Sequence, residues 1–157
     1  MRVGIGYDIH RLQKGRPLRL GGVTIPHAEG LAGHSDGDVL IHAVADALLG
    51  AASLGDIGEH FSDKSPRYKN TDSRLFLRRL RQLLTQKKLK VAHVDSVIIA
   101  ERPNLSKFKR RMRDSIAREL GVRPLQVNVK AKTNEGLGDL GRGRAIACYA
   151  LASLKGK

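Results

Sequence analysis

A chain of 157 residues with 41% hydrophobic side chains has the usual size of a single domain with a real core. No run approaches the roughly 20 apolar residues of a membrane span, and the first dozen residues carry Asp8, His10 and Arg11 rather than an apolar signal region. One soluble, cytoplasmic domain over residues 1–157 is expected, and its net charge of +14 leaves nucleic acid, membrane surfaces or phosphorylated small molecules as partner classes.

The opening run MRVGIGYDIHRL predicts a strand over residues 2–8, with Gly4 and Gly6 permitting close backbone approach. Asp8 and His10 share one face of an extended chain, so a carboxylate and an imidazole can converge there and begin a metal site. An ordinary polar strand end is the plainer reading of this pair alone, because two ligands rarely suffice for zinc. A second strand is expected over residues 17–25.

The segment GHSDGDVLIHAVADALLGAA predicts a helix. Ser35 followed by Asp38 has the form of a capping box, which starts the helix near Asp36 and gives it a buried stripe of Val39, Ala43, Val44, Ala47 and Leu48. Asp38, His42 and Asp46 fall at i, i+4 and i+8, a carboxylate one turn either side of the imidazole. Either carboxylate could accept the second ring N–H and orient His42 for a metal. With Asp8 and His10, His42 makes an Asp/His/His set that leaves a fourth zinc position open. A helix with a satisfied surface histidine is the alternative, since spacing does not bring strand and helix together.

Residues 60–73, HFSDKSPRYKNTDS, lack apolar periodicity and read as a long loop, either a lid or a connector. The basic stretches RLFLRRLRQLLTQKKLK and RPNLSKFKRRMRDSIAREL carry Phe76, Leu80, Leu83, Leu84 and Phe108, Met112, Ile116, Leu120 at helical spacing, so two amphipathic helices with solvated outer faces are expected. Nucleic-acid binding is the competing reading, but aromatics make up only 4% of the chain, too few for a stacking platform.

Strands at 94–100, 126–132 and 144–153 complete an α+β domain, a mixed sheet with helices packed on one face. Cys148, in the apolar run AIACYALA, is expected to be a buried, inert thiol. Before that last strand, Lys130, Lys132, Thr133 and Glu135 stand beside Gly136, Gly138, Gly141 and Gly143. Such a turn can cradle phosphate on backbone N–H groups while a carboxylate holds a hard cation. Neither a P-loop nor a dinucleotide fingerprint is present, and a glycine-rich hairpin is the plainer reading.

GYDIHRL, HSDGDVLIHAVADALLGAASLGDIGEHF and VNVKAKTNEGLG with the following GRG, in this order, resemble the 2-C-methyl-D-erythritol 2,4-cyclodiphosphate synthase family from Met1 to about residue 153. The resemblance implies a homotrimer with active sites at subunit interfaces. It also implies a small-molecule substrate, 4-diphosphocytidyl-2-C-methyl-D-erythritol 2-phosphate, whose 2-phosphate attacks the β-phosphorus of its own diphosphate and expels CMP. Neither nucleic acid nor membrane is an expected partner.

By that resemblance the zinc ligands fall on Asp8, His10 and His42, and Glu135 is the protein ligand of a second cation, Mg²⁺ or Mn²⁺. His34 and Thr133 fall where the transition state is steadied, Ser35 and Ile9 among the substrate contacts, and Asp56, Ile57 and Gly58 on the methylerythritol segment. Phe61, Ser62, Asp63, Lys64 and Ser65 fall on the flexible substrate loop, with serines at 62 and 65 where the family commonly has Pro and Asp. Ala100, Glu101, Arg102, Pro103, Asn104, Leu105 and Ser106, with Ala131, Lys132 and Asn134, fall on the cytidine pocket, and Arg142 at the inner end of a central channel.

Overall fold

The computed structural model describes residues 1–62 and 65–156; Asp63 and Lys64 of the expected substrate loop lie outside the described residues. In chain order the elements are β1 (Arg2–Lys14), β2 (Leu18–Leu20), β3 (Val23–Ile25), β4 (Glu29–Leu31), α1 (Val39–Ala52), α2 (Ile57–His60), α3 (Arg74–Gln86), β5 (Leu89–Ile99), α4 (Lys109–Leu120), β6 (Val127–Lys132), α5 (Gly138–Gly141) and β7 (Ala145–Gly156). The main sheet has the order β4-β1-β7-β5-β6. Only β5 and β6 run parallel, so the sheet is mixed as expected.

Strand β1 alternates between its two faces. Gly4, Gly6, Asp8 and His10 point to the helical side, while Val3, Ile5, Tyr7 and Ile9 are exposed on the other. Both glycines are required by packing: a Cβ on Gly4 would overlap the Ala47 carbonyl oxygen, and one on Gly6 the Ala43 carbonyl oxygen. Helix α1 therefore rests directly on the β1 backbone, closer than any side chain would allow.

That seat makes α1 the centre of the core. Leu40, Ile41, Ala45, Leu49 and Ala51 are buried along with the expected stripe, so this helix is buried on nearly every side rather than on one, with His42 and Asp46 as its polar residues. The outer helices behave as their spacing predicts, burying Phe76, Leu77, Leu80 and Leu84 on α3 and Met112, Ile116 and Leu120 on α4. Cys148 is buried, and its desolvation pushes the thiol well above its ordinary range.

Several boundaries differ from the sequence reading. Strand β1 continues to Lys14, because Leu12, Gln13 and Lys14 gain a partner in β4, a strand of three residues without a pattern of its own. The expected strand over 17–25 is a hairpin, broken by Gly21 and Gly22 at φ of 60° and 73°, the left-handed region that a tight turn demands. The cap of α1 is Asp38 rather than Ser35. Helix α4 starts only at Lys109, which leaves RPNLSKF as a loop, and the end of the preceding basic stretch joins β5.

Candidate metal centre and active site

The alternation of β1 turns Asp8 and His10 toward α1, and the glycine seat draws the first turns of α1 down to meet them. Asp8 Oδ2 lies 2.9 Å from His10 Nε2 and 2.9 Å from His42 Nδ1, and the two nitrogens are 3.3 Å apart. A tetrahedral zinc with bonds of about 2.0–2.1 Å sets its ligands roughly 3.3 Å apart, so one edge of this triangle already matches and the other two need open by only a few tenths of an ångström, with one corner left for an outside oxygen. Among the described residues it is the one cluster of metal-ligating side chains. Burial alone would push the Asp8 carboxyl up, but hydrogen bonds from His10 and His42, with their charge, hold it well below the usual carboxylate range. Asp8 is thus an anion wherever a cation would need one.

The far side of His42 is held by hydroxyls. Its Nε2 lies 2.9 Å from Ser73 Oγ and 3.1 Å from Ser35 Oγ, and Ser73 Oγ donates at 2.6 Å to Asp36. Neither expected carboxylate takes this place. Asp38 has left helical geometry as the cap, with φ −68° and ψ 87°, and its carboxylate accepts from the backbone N–H groups of Gly21, Gly22 and Ile41 at 2.9, 2.7 and 3.0 Å. Full burial and the neighbouring Asp36 charge push the Asp38 carboxyl up to about 6, against the opposing pull of those three donors. Asp46 accepts from the Ile57 N–H at 3.2 Å and so steadies α2 instead.

The triangle opens into a cavity of about 650 Å³. Its wall holds the expected His34, Ser35, Asp56, Ile57, Gly58 and Phe61, together with Tyr7, Gly33, Asp46, Tyr68 and Phe76, which the sequence did not single out for this role. Phe61 stacks on Phe76 with ring centroids 4.4 Å apart, and Tyr68 meets both edge-on, an aromatic wall that reaches His42 through Phe76, their centroids 5.9 Å apart. His34 Nε2 lies 3.0 Å from the Ser65 carbonyl oxygen. Arg16, also unforeseen, donates to the carbonyls of Gly33 and Ser35 at 2.7 and 2.5 Å and so fixes the backbone on both sides of His34. Ile9 faces the bare side of the sheet, and Ser62 stands outside the cavity wall.

A second group gathers where the parallel strands β5 and β6 end side by side. The Ala100 N–H donates to the Lys132 carbonyl at 2.9 Å, the Asn134 N–H to Glu101 at 3.1 Å, and the Thr133 hydroxyl to Glu135 at 3.2 Å. Arg102, Asn104, Ser106, Lys132, Thr133, Glu135 and Arg142 are exposed, Pro103 and Ala131 are half-buried, and Leu105 is a core residue. None of this group lines the cavity of the metal triangle. The sequence-derived site therefore falls into two separate clusters on one chain.

An α+β domain with an open three-ligand centre beside a cavity large enough for an organic ligand is the build of a metal-assisted enzyme. The YgbB family matches residues 1–155, and the chain belongs to that family. A 2-C-methyl-D-erythritol 2,4-cyclodiphosphate synthase of Pelotomaculum thermopropionicum is 55% identical over 152 residues, 97% of this chain and 94% of that one. The solved Plasmodium falciparum IspF complex with CDP is 36% identical with a TM-score of 0.87, covering 99% of this chain and 96% of its own. The bifunctional IspDF from Campylobacter jejuni is 39% identical with a TM-score of 0.95; this chain spans 42% of that longer protein.

Proposed function

We infer that the chain carries the activity its relatives' names state. It is a cyclising, CMP-releasing phosphorus–oxygen lyase that converts 4-diphosphocytidyl-2-C-methyl-D-erythritol 2-phosphate to 2-C-methyl-D-erythritol 2,4-cyclodiphosphate in the non-mevalonate route to isoprenoids. The observation that carries this reading is the Asp8, His10 and His42 triangle, close to the size a tetrahedral ion needs and opening onto the cavity that also holds His34 and residues 56–58.

Both reacting groups are anionic, so the work is charge neutralisation and in-line positioning rather than covalent catalysis by the protein. When bound, zinc on the triangle and Mg²⁺ or Mn²⁺ on Glu135 supply Lewis-acid polarisation and offset the diphosphate charge. His34, with its backbone braced by Arg16, presents its ring to the phosphate beside the triangle. Asp56, Ile57 and Gly58 hold the methylerythritol chain against the aromatic wall, which keeps water from its far side. Thr133 adds a hydroxyl donor, and the backbone of residues 100–106 and 131–134 receives the cytidine.

These roles need the two clusters in one place, which a second copy achieves. The exposed row of Val3, Ile5, Tyr7 and Ile9 with Tyr149 and Leu151 is an apolar face of the kind that closed oligomers cover, and it supports a homotrimer in which each cavity is completed by a neighbour's Thr133 and Glu135. Residues 1–157 act as one domain. No helix of the described residues is long and apolar enough to cross a membrane, and the reading places the enzyme in the cytoplasm.

The test is CMP release from the diphosphocytidyl substrate with Mg²⁺, before and after chelator treatment and zinc restoration. Chelator-sensitive release restored by zinc is expected; absence of release from zinc-loaded protein overturns the reading.

A further inference from the structure

Ser73 stands at the amino-terminal end of α3, where a serine ordinarily accepts a hydrogen bond from the helix and stabilises it by about 1 kcal/mol. Here it makes no such bond; Asp72 takes the Arg74 N–H at 3.0 Å instead. The Ser73 hydroxyl is fully buried and turned into the protein, 2.9 Å from His42 Nε2 and 2.6 Å from Asp36 Oδ1, while Asp36 Oδ2 accepts the Ser73 N–H at 3.0 Å.

A serine hydroxyl has one hydrogen to give. Asp36 accepts twice from Ser73, the hydroxyl donating to Oδ1 at 2.6 Å and the N–H to Oδ2 at 3.0 Å, so the hydroxyl hydrogen goes to Asp36. Toward His42, Ser73 is then an acceptor, and Nε2 must carry the ring hydrogen. That leaves Nδ1, 2.9 Å from Asp8 Oδ2 and 3.3 Å from His10 Nε2, as the ring nitrogen turned to the metal position.

We propose that Ser73 and Asp36 are positioning residues for the metal centre, with Asp36 committing the Ser73 hydroxyl as an acceptor and Ser73 holding His42 as the tautomer whose Nδ1 can ligate. This rests on the reading of Asp8, His10 and His42 as metal ligands. It gives the hydroxyl–carboxylate pair the task that outer carboxylates and carbonyls perform for other metal-binding histidines. Ser35 Oγ, at 3.1 Å from Nε2, can share the ring hydrogen but has no carboxylate to fix its direction.

The experiment measures zinc affinity by chelator competition, together with ¹⁵N shifts of the histidine rings in zinc-loaded protein, for the wild type, Ser73→Ala and Asp36→Asn. Asp36→Asn keeps the Ser73 hydroxyl and its volume but cannot accept from both the hydroxyl and the N–H of Ser73, so it isolates the hydrogen-bond direction from packing and stands if Ser73→Ala fails to fold. Zinc affinity lower by about 10–100-fold in either variant, with the wild-type His42 showing an Nε2–H and a metal-bound Nδ1, supports the proposal. Wild-type affinity and an unchanged His42 signature in Asp36→Asn overturn it while leaving the metal reading intact. A wild-type protein that holds no zinc overturns both.

Discussion

The two clusters of the candidate site are built in opposite ways. The metal triangle sits where β1 and α1 are pressed together, each ligand is half-buried, and behind His42 the hydrogen bonds run on through Ser73 to Asp36. The Thr133 and Glu135 cluster lies on exposed loops beyond the ends of two parallel strands, tied mainly to itself. The first half is organised by contacts within its own chain; the second is left exposed. On the proposed reading, a site divided in this way would make assembly part of catalysis, since neither half has the chemistry of the whole.

The most direct way to break the comparison is to disable one half per chain. His42→Ala alone is expected to lower CMP release by about a thousandfold, several kcal/mol of lost charge stabilisation, and Glu135→Gln alone to lower turnover while zinc content is unchanged. Coexpressed in equal amounts, the two variants should assemble randomly and regain about a quarter of wild-type activity, the share of cavities whose two halves are both intact. No recovery in mixed assemblies would mean that both clusters serve their own chain.

Glycine substitutions sharpen the contrast. Gly6→Ala collides with the α1 backbone and is expected to cost about 2–4 kcal/mol in denaturant unfolding, with weaker zinc binding. Gly138→Ala meets nothing within 4 Å and suffers only from its φ of 63°, so a loss of about 1 kcal/mol is expected. Equal losses at the two positions would show that the seat is not what organises the first half.

The smallest effect concerns pH. Asp38 titrates at about 6 when folded against an ordinary 3.8, so the folded protein binds the extra proton between those values. Its contribution to stability is full below about pH 4, falls as pH rises to about 6 and is level above. Asp38→Asn should remove that fall, as measured by unfolding at a series of pH values.

Much of the first half was legible because its signals are local. The period of β1 put Asp8 and His10 on one face, the glycines announced close approach, and the α1 pattern carried His42. The partners of His42 were not legible, because Ser73 and Asp36 come from loops 31 and 6 residues away whose meeting depends on the tertiary fold. Asp38 and Asp46 held the right helical spacing yet serve the Gly21–Gly22 turn and α2, since a buried backbone N–H in need of an acceptor outranks a periodic pattern. The aromatic wall was hidden for a similar reason: Phe76 has the spacing of a core residue and also closes the cavity.

Helix α1 lies against the sheet on one side and α3 on another, with almost none of its length open to water. Its amide hydrogens are expected to exchange with solvent only when the whole domain opens, as those of buried core helices do. His42 therefore rides on a buried helix while Thr133 and Glu135 stand on exposed loops, and slower amide exchange around His42 than around those loops is expected.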